Sequence, residues 1–281
     1  MKILKVLLVG ALILTLAGCL TPSPWGGASS SSEMPFSSSP SLEPPSSSES
    51  QSEPSYSSLP PVETSEEGST ASPTFPTQLP PMEISQGVPG KMRIALTFDC
   101  GAGRGYIDQI LQTLNEYQVP ATFFVTGSWA ENNPDDVRRI SQSGFRIGNH
   151  TQNHLNLTEI SDDQIVKELA SVEETILELT GKSTKPLFRP PFGSRDERVL
   201  QVVASQGYWS IYWTVDSLDW QEGHDPQWVK ERILSRLDDG AIVLCHVASE
   251  YTYLVLGELI QEIRGRGFTF VPLDDFLELP P

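Results

Sequence analysis

The chain has few cysteines, few histidines and a shortage of basic residues. Of its 281 residues, three are cysteine, four are histidine, and 19 are lysine or arginine against 36 aspartate or glutamate. From Lys91 onward there are 28 acidic and 17 basic residues, which gives a formal charge of −11. Because nucleic-acid binding requires a basic face, this balance argues against a nucleic-acid ligand and against binding to anionic lipid headgroups. A neutral or partly cationic polymer remains compatible with it.

The N-terminus lacks an apolar run long enough to span a bilayer, yet it has the pattern of an export signal. Lys2 and Lys5 precede the apolar stretch 6–16, which is shorter than the roughly 20 residues of a membrane-spanning helix. The tetrad L-A-G-C that ends at Cys19 resembles a bacterial lipobox, which implies a signal peptide over residues 1–19 and a lipid on Cys19. We therefore expect a lipid-anchored protein at the extracellular face of the bacterial membrane, facing the cell wall. The alternative is an ordinary cleaved signal peptide with an incidental cysteine.

Residues 20–90 lack apolar periodicity and basic side chains. Serine, proline and glutamate dominate this segment, which contains eight acidic residues and neither lysine nor arginine. Such a composition cannot bury enough apolar surface to offset the conformational entropy lost on folding. We therefore predict a disordered linker that acts as a passive spacer before a folded domain over residues 91–281.

Short β-rich runs alternate with amphipathic helical segments after position 91. This alternation predicts an α/β fold with a mainly parallel sheet. By itself it allows either a barrel, with its site at the C-terminal ends of the strands, or an open doubly wound sheet. Strands are predicted at 93–98, 121–126, 145–149, 187–189, 208–214, 241–246 and 268–271, and helices at 106–117, from 133, and at 161–180, 196–205, 225–236 and 253–264.

Five short motifs follow one another along the domain and contain its reactive side chains. Two histidines four residues apart, His150 and His154, are able to present two imidazole nitrogens to one metal ion. Asp99 directly follows an apolar strand and His246 ends another, so they are candidates for the base and the acid of a hydrolysis. In chain order the motifs are T-F-D-C-G at 97–101, H-T-Q-N-H at 150–154, R-P-P-F-G at 189–193, D-S-L-D-W at 216–220 and L-C-H at 244–246. This succession resembles the polysaccharide deacetylases of carbohydrate esterase family four, the NodB-type domain.

The resemblance covers about residues 91–276 and implies a distorted (β/α)7 barrel. It implies that Asp99 is the general base that takes a proton from the attacking water, and that His246 is the general acid that protonates the leaving amine. His150 and His154 would bind a divalent metal, most often zinc, with cobalt as a second candidate.

The resemblance also implies roles for residues around these groups. Arg189 would pair with Asp99, and Asp219 would raise the pKa of His246. The backbone N–H of Phe192 would help to stabilise the oxyanion. Trp220 and Leu244 would line the pocket for the acetyl methyl group.

The position after Asp99 departs from the family, which places an aspartate there as its third metal ligand where this chain has Cys100. A thiolate binds zinc well, but its sulfur occupies the place of the carboxylate carbon, so its reach is shorter. Three outcomes are open: Cys100 binds the metal, water completes a site of two histidines, or the domain has lost metal and activity. Cys245 lies between two site residues of one strand and should face the helical layer, so a disulfide with Cys100 is not expected.

The combined interpretation is a lipid-anchored, monomeric deacetylase that removes N-acetyl groups from N-acetylglucosamine in peptidoglycan or in chitin-like oligomers. The departure at Cys100 motivates an alternative from another class, a catalytically inactive sugar-binding protein of the cell wall. A third hypothesis is an esterase that removes O-acetyl groups from polysaccharide with the same machinery.

Overall fold

The computed structural model describes residue 80 and residues 82–277. The predicted signal peptide, Cys19 and most of the predicted linker lie outside the described residues, so those statements stay predictions. Within the described part of the chain, no helix combines the length and the apolar composition needed to cross a bilayer.

Parallel strands and helices alternate along the described residues. The strands are β1 Glu83–Ile84, β2 Arg93–Cys100, β3 Ala121–Val125, β4 Arg146–Asn149, β5 Leu187–Phe188, β6 Trp209–Ile211, β7 Val215–Asp216, β8 Ile242–His246 and β9 Thr269–Phe270. The α-helices are α1 Ile107–Glu116, α2 Gly127–Asn132, α3 Pro134–Gln142, α4 Asp162–Thr180, α5 Glu197–Ser205, α6 Pro226–Arg236 and α7 Glu250–Gly265.

The strands form one curled sheet in the order β1-β6-β5-β4-β3-β2-β8-β7, and β9 pairs with β2. Every pairing between named strands is parallel. The central strand β2 lies between β3 and β8, and its Asp99 is in register with His246 of β8. This curled half-barrel of parallel strands confirms the predicted distorted barrel over the open doubly wound sheet.

The alternation of side chains along β2 separates two environments. Ile94, Leu96, Phe98 and Cys100 belong to the apolar cluster that includes buried side chains of the helices. The residues between them face the interior of the barrel, where Ala95 packs in a second apolar cluster. Thr97 and Asp99 continue this inner face toward the C-terminal end of β2, so the barrel interior becomes polar at the end where the site lies.

Helix α4 is the longest helix, and the sequence predicted both of its ends. Ser161 accepts a hydrogen bond from the backbone N–H of Gln164, and the Gln164 side chain accepts one from the backbone N–H of Ser161. Gly181 ends the helix at φ 68°, a left-handed conformation that glycine adopts without steric cost. These two caps fix α4 beside the loop that carries the two histidines.

The folded domain begins earlier than the predicted boundary at position 91. Strand β1 lies within the predicted linker, where it pairs with β6. The Glu83 carboxylate also forms an ion pair with Arg195, with an Oε1–Nη2 distance of 2.8 Å. No apolar run marks this strand, which lies in a segment rich in proline and glycine, so only its distant partners reveal it.

Two further elements differ from the predictions. The helix expected from position 133 is preceded by α2, which is capped by Thr126 through its side chain and the backbone N–H of Trp129. The predicted strand 208–214 is shorter in the structure, where β6 ends at Ile211 and pairs with β5. The separate strand β7 begins at Val215 and pairs with β8. The chain therefore leaves the sheet after β6, near one end of the strand order, and re-enters it at β7, the other end.

Candidate active site

A cavity of about 410 Å³ opens at the C-terminal ends of the strands. It brings together side chains from all five motifs, which are separated by up to about half the chain. Its lining consists of Asp99, His150, His154, Pro190, Phe192, Gly193, Trp213, Asp216, Trp220, Leu244 and His246.

Asp99 lies at the end of β2 and is fixed by a fully buried arginine. Arg189 Nη1 donates to Asp99 Oδ1 at 2.8 Å and to Thr97 Oγ1 at 2.9 Å. The same guanidinium lies over the Phe124 ring, 4.1 Å from its centroid. Burial by itself would raise the pKa of Asp99, but the charge and hydrogen bond of Arg189 and the nearby histidines outweigh it and lower this pKa. Asp99 is therefore an oriented carboxylate that stays ionised.

His150 and His154 lie side by side in the loop after β4. Their ring centroids are 4.9 Å apart and their planes make an angle of 73°. His150 Nδ1 donates to the backbone carbonyl of Arg189 at 2.8 Å, which leaves Nε2 facing Asp99 Oδ2 at 3.4 Å. Burial lowers the pKa of His150 and is also the main reason that the pKa of His154 falls to about 4. Both imidazoles are thus neutral near pH 7, which is the form that binds metals.

His246 ends β8 and pairs with the buried Asp219. The Nδ1–Oδ1 distance is 2.7 Å, and the backbone N–H of His246 donates to Asp219 Oδ2 at 3.0 Å. Burial alone would lower the pKa of His246, but the hydrogen bond and the charge of Asp219 raise it above its usual value. Because Nδ1 faces Asp219, the Nε2 proton is the one left for transfer to another group.

Two residues that the sequence did not reveal complete the surroundings of Asp219. Thr252 Oγ1 donates to Asp219 Oδ2, and Ser249 Oγ donates to the backbone carbonyl of Asp219 at 2.8 Å. Both belong to the start of α7, where Ser249 caps the helix. Neither lies in a motif, so no sequence signal near Asp219 identified them.

Two exposed aromatic side chains border the cavity. Phe192 is 72% exposed and has a φ of 57°, which places it at the tip of the tight turn Pro191–Gly193. Trp220 is 59% exposed, whereas Leu244 is buried at the wall. Trp213 also reaches the wall and packs against the second apolar cluster. This arrangement places two aromatic rings at the entrance of the cavity.

Asp216 is another lining residue whose role the motif pattern did not indicate. Its Oδ1 accepts a hydrogen bond from the backbone N–H of Leu218 at 2.9 Å. Burial raises the pKa of Asp216 above its ordinary value. The first aspartate of D-S-L-D-W thus lines the cavity, while the second, Asp219, lies behind His246.

The side chain of Cys100 points away from the histidines. It is fully buried in the helical-layer cluster, because it follows Phe98 on the same face of β2. Its neighbour Gly101, by contrast, lies beside the histidine loop: a Cβ on that glycine would be 3.7 Å from the His154 ring. Burial, together with nearby carboxylates, raises the pKa of the Cys100 thiol well above its usual value.

Cys100 and Cys245 are both free and buried. No disulfide joins them, as expected from the sequence. That expectation, however, considered only the direction of the Cys245 side chain. Both side chains face the helical layer, since Cys245 is in register with Phe98 on the neighbouring strand.

The donor chemistry fits a divalent cation only in part. His150 and His154 supply two neutral imidazoles in the cavity, as such an ion requires. Among the residues that the structure describes, however, no three His, Cys, Asp or Glu side chains are grouped so that they could hold one ion. Residues 82–277 therefore provide a two-histidine arrangement without a third protein ligand.

Comparison with known proteins gives a consistent result. The family described as polysaccharide deacetylase matches residues 86–211. Peptidoglycan-N-acetylmuramic acid deacetylase PdaA of Bacillus subtilis is 35% identical over 186 residues, which cover 66% of this chain and 71% of that protein. Peptidoglycan-N-acetylglucosamine deacetylase of Bacillus cereus is 31% identical over 192 residues, with 67% and 69% covered.

Solved structures agree in fold. The crystal structure of a wild-type family-four pseudoenzyme from Bacillus anthracis has a TM-score of 0.68 at 30% identity and covers 71% of this chain and 70% of its own. A mutant of that protein, described as having restored enzymatic activity, has the same TM-score and identity and covers 71% and 72%. From the curled parallel barrel, the five motifs at its C-terminal end and these relatives, we conclude that the chain belongs to the polysaccharide deacetylase family, carbohydrate esterase family four.

Proposed function

We propose that this protein is a hydrolase that removes N-acetyl groups from N-acetylglucosamine in peptidoglycan. The observation that carries the proposal is the pairing of an ionised carboxylate with a protonatable imidazole in one cavity. Asp99 and His246 are in register on neighbouring strands, and each is held by a buried partner of opposite charge. Separated pKa values of this kind are what general base and general acid need.

Asp99 acts as the base in this proposal. The low pKa that Arg189 gives it means that the carboxylate is free of a proton over a wide pH range. It takes a proton from water as the oxygen attacks the acetamide carbon. Arg189 keeps the carboxylate oriented, and the backbone N–H of Phe192 donates to the oxyanion that forms.

His246 acts as the acid and protonates the departing nitrogen through Nε2. The raised pKa favours the imidazolium that this step consumes. Acetate and a free amino group on the sugar are the products. Leu244 and Trp220 line the part of the cavity that receives the acetyl methyl group.

Members of this family generally depend on a divalent metal, and we propose that His150 and His154 hold it here. Zinc suits two imidazoles, and cobalt is a second candidate. When bound, the ion would polarise the acetamide carbonyl. The position of Cys100 supports a site whose remaining positions are filled by water or substrate over one that includes the thiolate.

The polymer is proposed from the relatives together with the cavity. PdaA is named for N-acetylmuramic acid, whereas the Bacillus cereus relative is named for N-acetylglucosamine. Both names specify peptidoglycan, which supports this polymer over chitin-like oligomers. Phe192 and Trp220 at the entrance suit the apolar faces of sugar rings.

We also propose that the protein is a monomer anchored by a lipid on Cys19 at the extracellular face of the membrane. The pattern of the first 19 residues supports this location, and the acidic linker of residues 20–90 would give the domain reach into the wall. Mass spectrometry of the mature N-terminus tests it: a lipid on Cys19 is expected, and another N-terminal residue would refute the anchor.

A second candidate is an inactive sugar-binding protein. Cys100 in the apolar cluster and the lack of a third protein ligand in the described part of the chain favour it, and a structurally similar protein is described as a pseudoenzyme. In that case sugar would bind at Phe192 and Trp220 without release of acetate.

The deciding experiment measures acetate release by the purified protein. N-acetylglucosamine oligomers, peptidoglycan and an O-acetylated polysaccharide are supplied in turn, each with zinc or cobalt, beside the Asp99→Asn variant. Acetate from the N-acetylated substrates that is lost in the variant supports the proposal. Release from the O-acetylated substrate alone would indicate the esterase, and sugar binding without release would indicate the inactive protein.

A further inference from the structure

Glu168 is a buried carboxylate on α4 that the proposed chemistry does not use. It is 7% exposed, and none of the ion pairs between described residues includes it. A buried carboxylate without a cation is costly, so its retention calls for compensating hydrogen bonds. Glu168 accepts two such hydrogen bonds, both from Asn153. The Asn153 backbone N–H donates to Glu168 Oε2 and its Nδ2–H donates to Oε1, each at 2.7 Å.

Asn153 lies directly before His154, in a loop where two residues have unfavourable backbone conformations. Thr151 has a φ of 67° and His154 a φ of 56°, both in the left-handed region that residues with a side chain rarely adopt. Such conformations persist only where the surrounding structure over-determines them. Within the loop, the backbone N–H of His154 donates to Thr151 Oγ1 at 3.1 Å, and that of Thr151 donates to Asn149 Oδ1 at 3.0 Å.

Helix α4 contacts this loop on both sides of His150. Before His150, Asn149 Nδ2 donates to the backbone carbonyl of Leu169 at 2.9 Å. After His150, Glu168 accepts both hydrogen bonds from Asn153. The two anchors are consecutive residues of one helix whose ends are capped, so they present a rigid reference to the loop.

We infer that Glu168 is a positioning residue that sets the orientation of His154 relative to His150 through its two hydrogen bonds to Asn153. The inference rests on the proposed role of the two histidines. Its consequence is that a cation held by this pair owes part of its affinity to a carboxylate that never touches it. Partners behind metal-binding histidines typically change metal affinity by 10- to 100-fold when they are removed.

The amide variant separates the hydrogen bonds from the charge. In Glu168→Gln, the new carbonyl oxygen accepts from the Asn153 backbone N–H, and the new amide donates to Asn153 Oδ1 once that side-chain amide rotates by half a turn. Glu168→Ala removes both bonds. A positioning role therefore predicts that glutamine rescues what alanine loses, whereas an electrostatic role predicts that it does not.

Glu173→Ala is the matched control for loss of stability. Glu173 is also a partly buried carboxylate of α4, but its hydrogen bonds come from Ser183, Thr184 and Tyr208 and not from Asn153. If Glu168→Ala does not fold, Asn153→Ala removes one of the two bonds and leaves α4 unchanged.

The experiment records imidazole ¹H–¹⁵N spectra of the purified protein and titrates each variant with zinc alone. For Glu168→Ala we expect shifted His154 resonances and zinc affinity lowered by about 10-fold or more, while Glu168→Gln and Glu173→Ala stay within about threefold of the wild type. Spectra and affinity in Glu168→Ala that equal those of Glu173→Ala would overturn the inference. If the wild type binds no zinc, the proposed metal role fails, and the spectra alone still decide whether Glu168 positions His154.

Discussion

The two sides of the cavity differ in how completely they are assembled. On the acid side, His246 meets a buried Asp219 that also accepts from Thr252, so each polar group has a partner. On the histidine-loop side, residues 149–154 present two imidazoles, and the residue that would supply a third ligand, Cys100, is packed among apolar side chains.

The difference shows that the residues proposed for proton donation and those proposed for cation binding are held by separate sets of hydrogen bonds. The hydrogen bonds of His246 do not involve the histidine loop, and those of His150 and His154 do not involve Asp219. Asp99 is the link, because it faces His150 and is in register with His246. Whether the protein is an active enzyme therefore depends on the histidine-loop side, while the acid side sets how activity varies with pH.

The largest expected effects come from removing one histidine on each side. His246→Ala should lower turnover by roughly 10²–10⁴-fold, as for other general acids, without changing zinc affinity. His154→Ala should abolish turnover and zinc binding together, because one of two imidazole ligands is lost. Calorimetric zinc titration beside an acetate assay measures both. Unchanged zinc affinity in His154→Ala and in His150→Ala would refute the two-histidine site.

The acid side is tested further by Asp219→Asn, which keeps an acceptor for His246 but removes the charge. Asp219 raises the pKa of His246, so the pKa should fall in the variant and the protonated acid should persist only at lower pH. The basic limb of the pH–rate profile should move down by about 1–3 units, a loss of roughly 10- to 10³-fold at alkaline pH. Asp225→Asn, which keeps a helix cap outside the cavity, is the control. An unmoved basic limb would mean that His246 is not the acid.

The histidine-loop side is tested by Cys100→Asp. Placed in the apolar cluster, a carboxylate should lower the free energy of unfolding by about 3 kcal/mol without metal. The next residue, Gly101, lies beside His154. A small rotation of the backbone at residues 100–101 would therefore bring the new carboxylate to the histidines. Zinc should then restore about 2–3 kcal/mol at a hundredfold excess over its dissociation constant.

Cys245→Asp is the matched control for this variant, since Cys245 is equally buried on the same face of the neighbouring strand but has no histidine pair beside it. It should lose a similar amount of stability but gain no more from zinc than the wild type does. Equal behaviour of the two variants in thermal melts with and without zinc would show that position 100 cannot reach the site.

The sequence predicted the fold well because its signals are local. The caps Ser161 and Gly181 mark the ends of α4, and apolar runs mark β2 and β8. Strand β1 was missed because it lies in a segment rich in proline and glycine without an apolar run, so only its pairing with β6 reveals it. Local signals also predicted part of the site, because Asp99 and His246 each follow an apolar strand.

What the sequence could not reveal are groups that act through packing. The direction of the Cys100 side chain depends on where β2 ends, and the structure extends this strand to Cys100 itself, two residues beyond the predicted end. Glu168 and Thr252 lie in ordinary helical patterns, and only the tertiary contacts of their helices bring them to Asn153 and Asp219.

The smallest expected effect belongs to Thr252→Val, which removes one donor to Asp219 with little change in volume. Asp219 retains both hydrogen bonds from His246, so the acid side should stay assembled. One lost hydrogen bond to a buried charge costs about 1–3 kcal/mol of stability. With one donor fewer, Asp219 accepts the His246 Nδ1–H more strongly, so the pKa of His246 should rise slightly. The basic limb should then move slightly upward, opposite to Asp219→Asn. Turnover should fall less than about tenfold, because both catalytic groups keep their places. A loss as large as that of His246→Ala, in a variant that remains folded, would show that Thr252 is essential for orienting the acid.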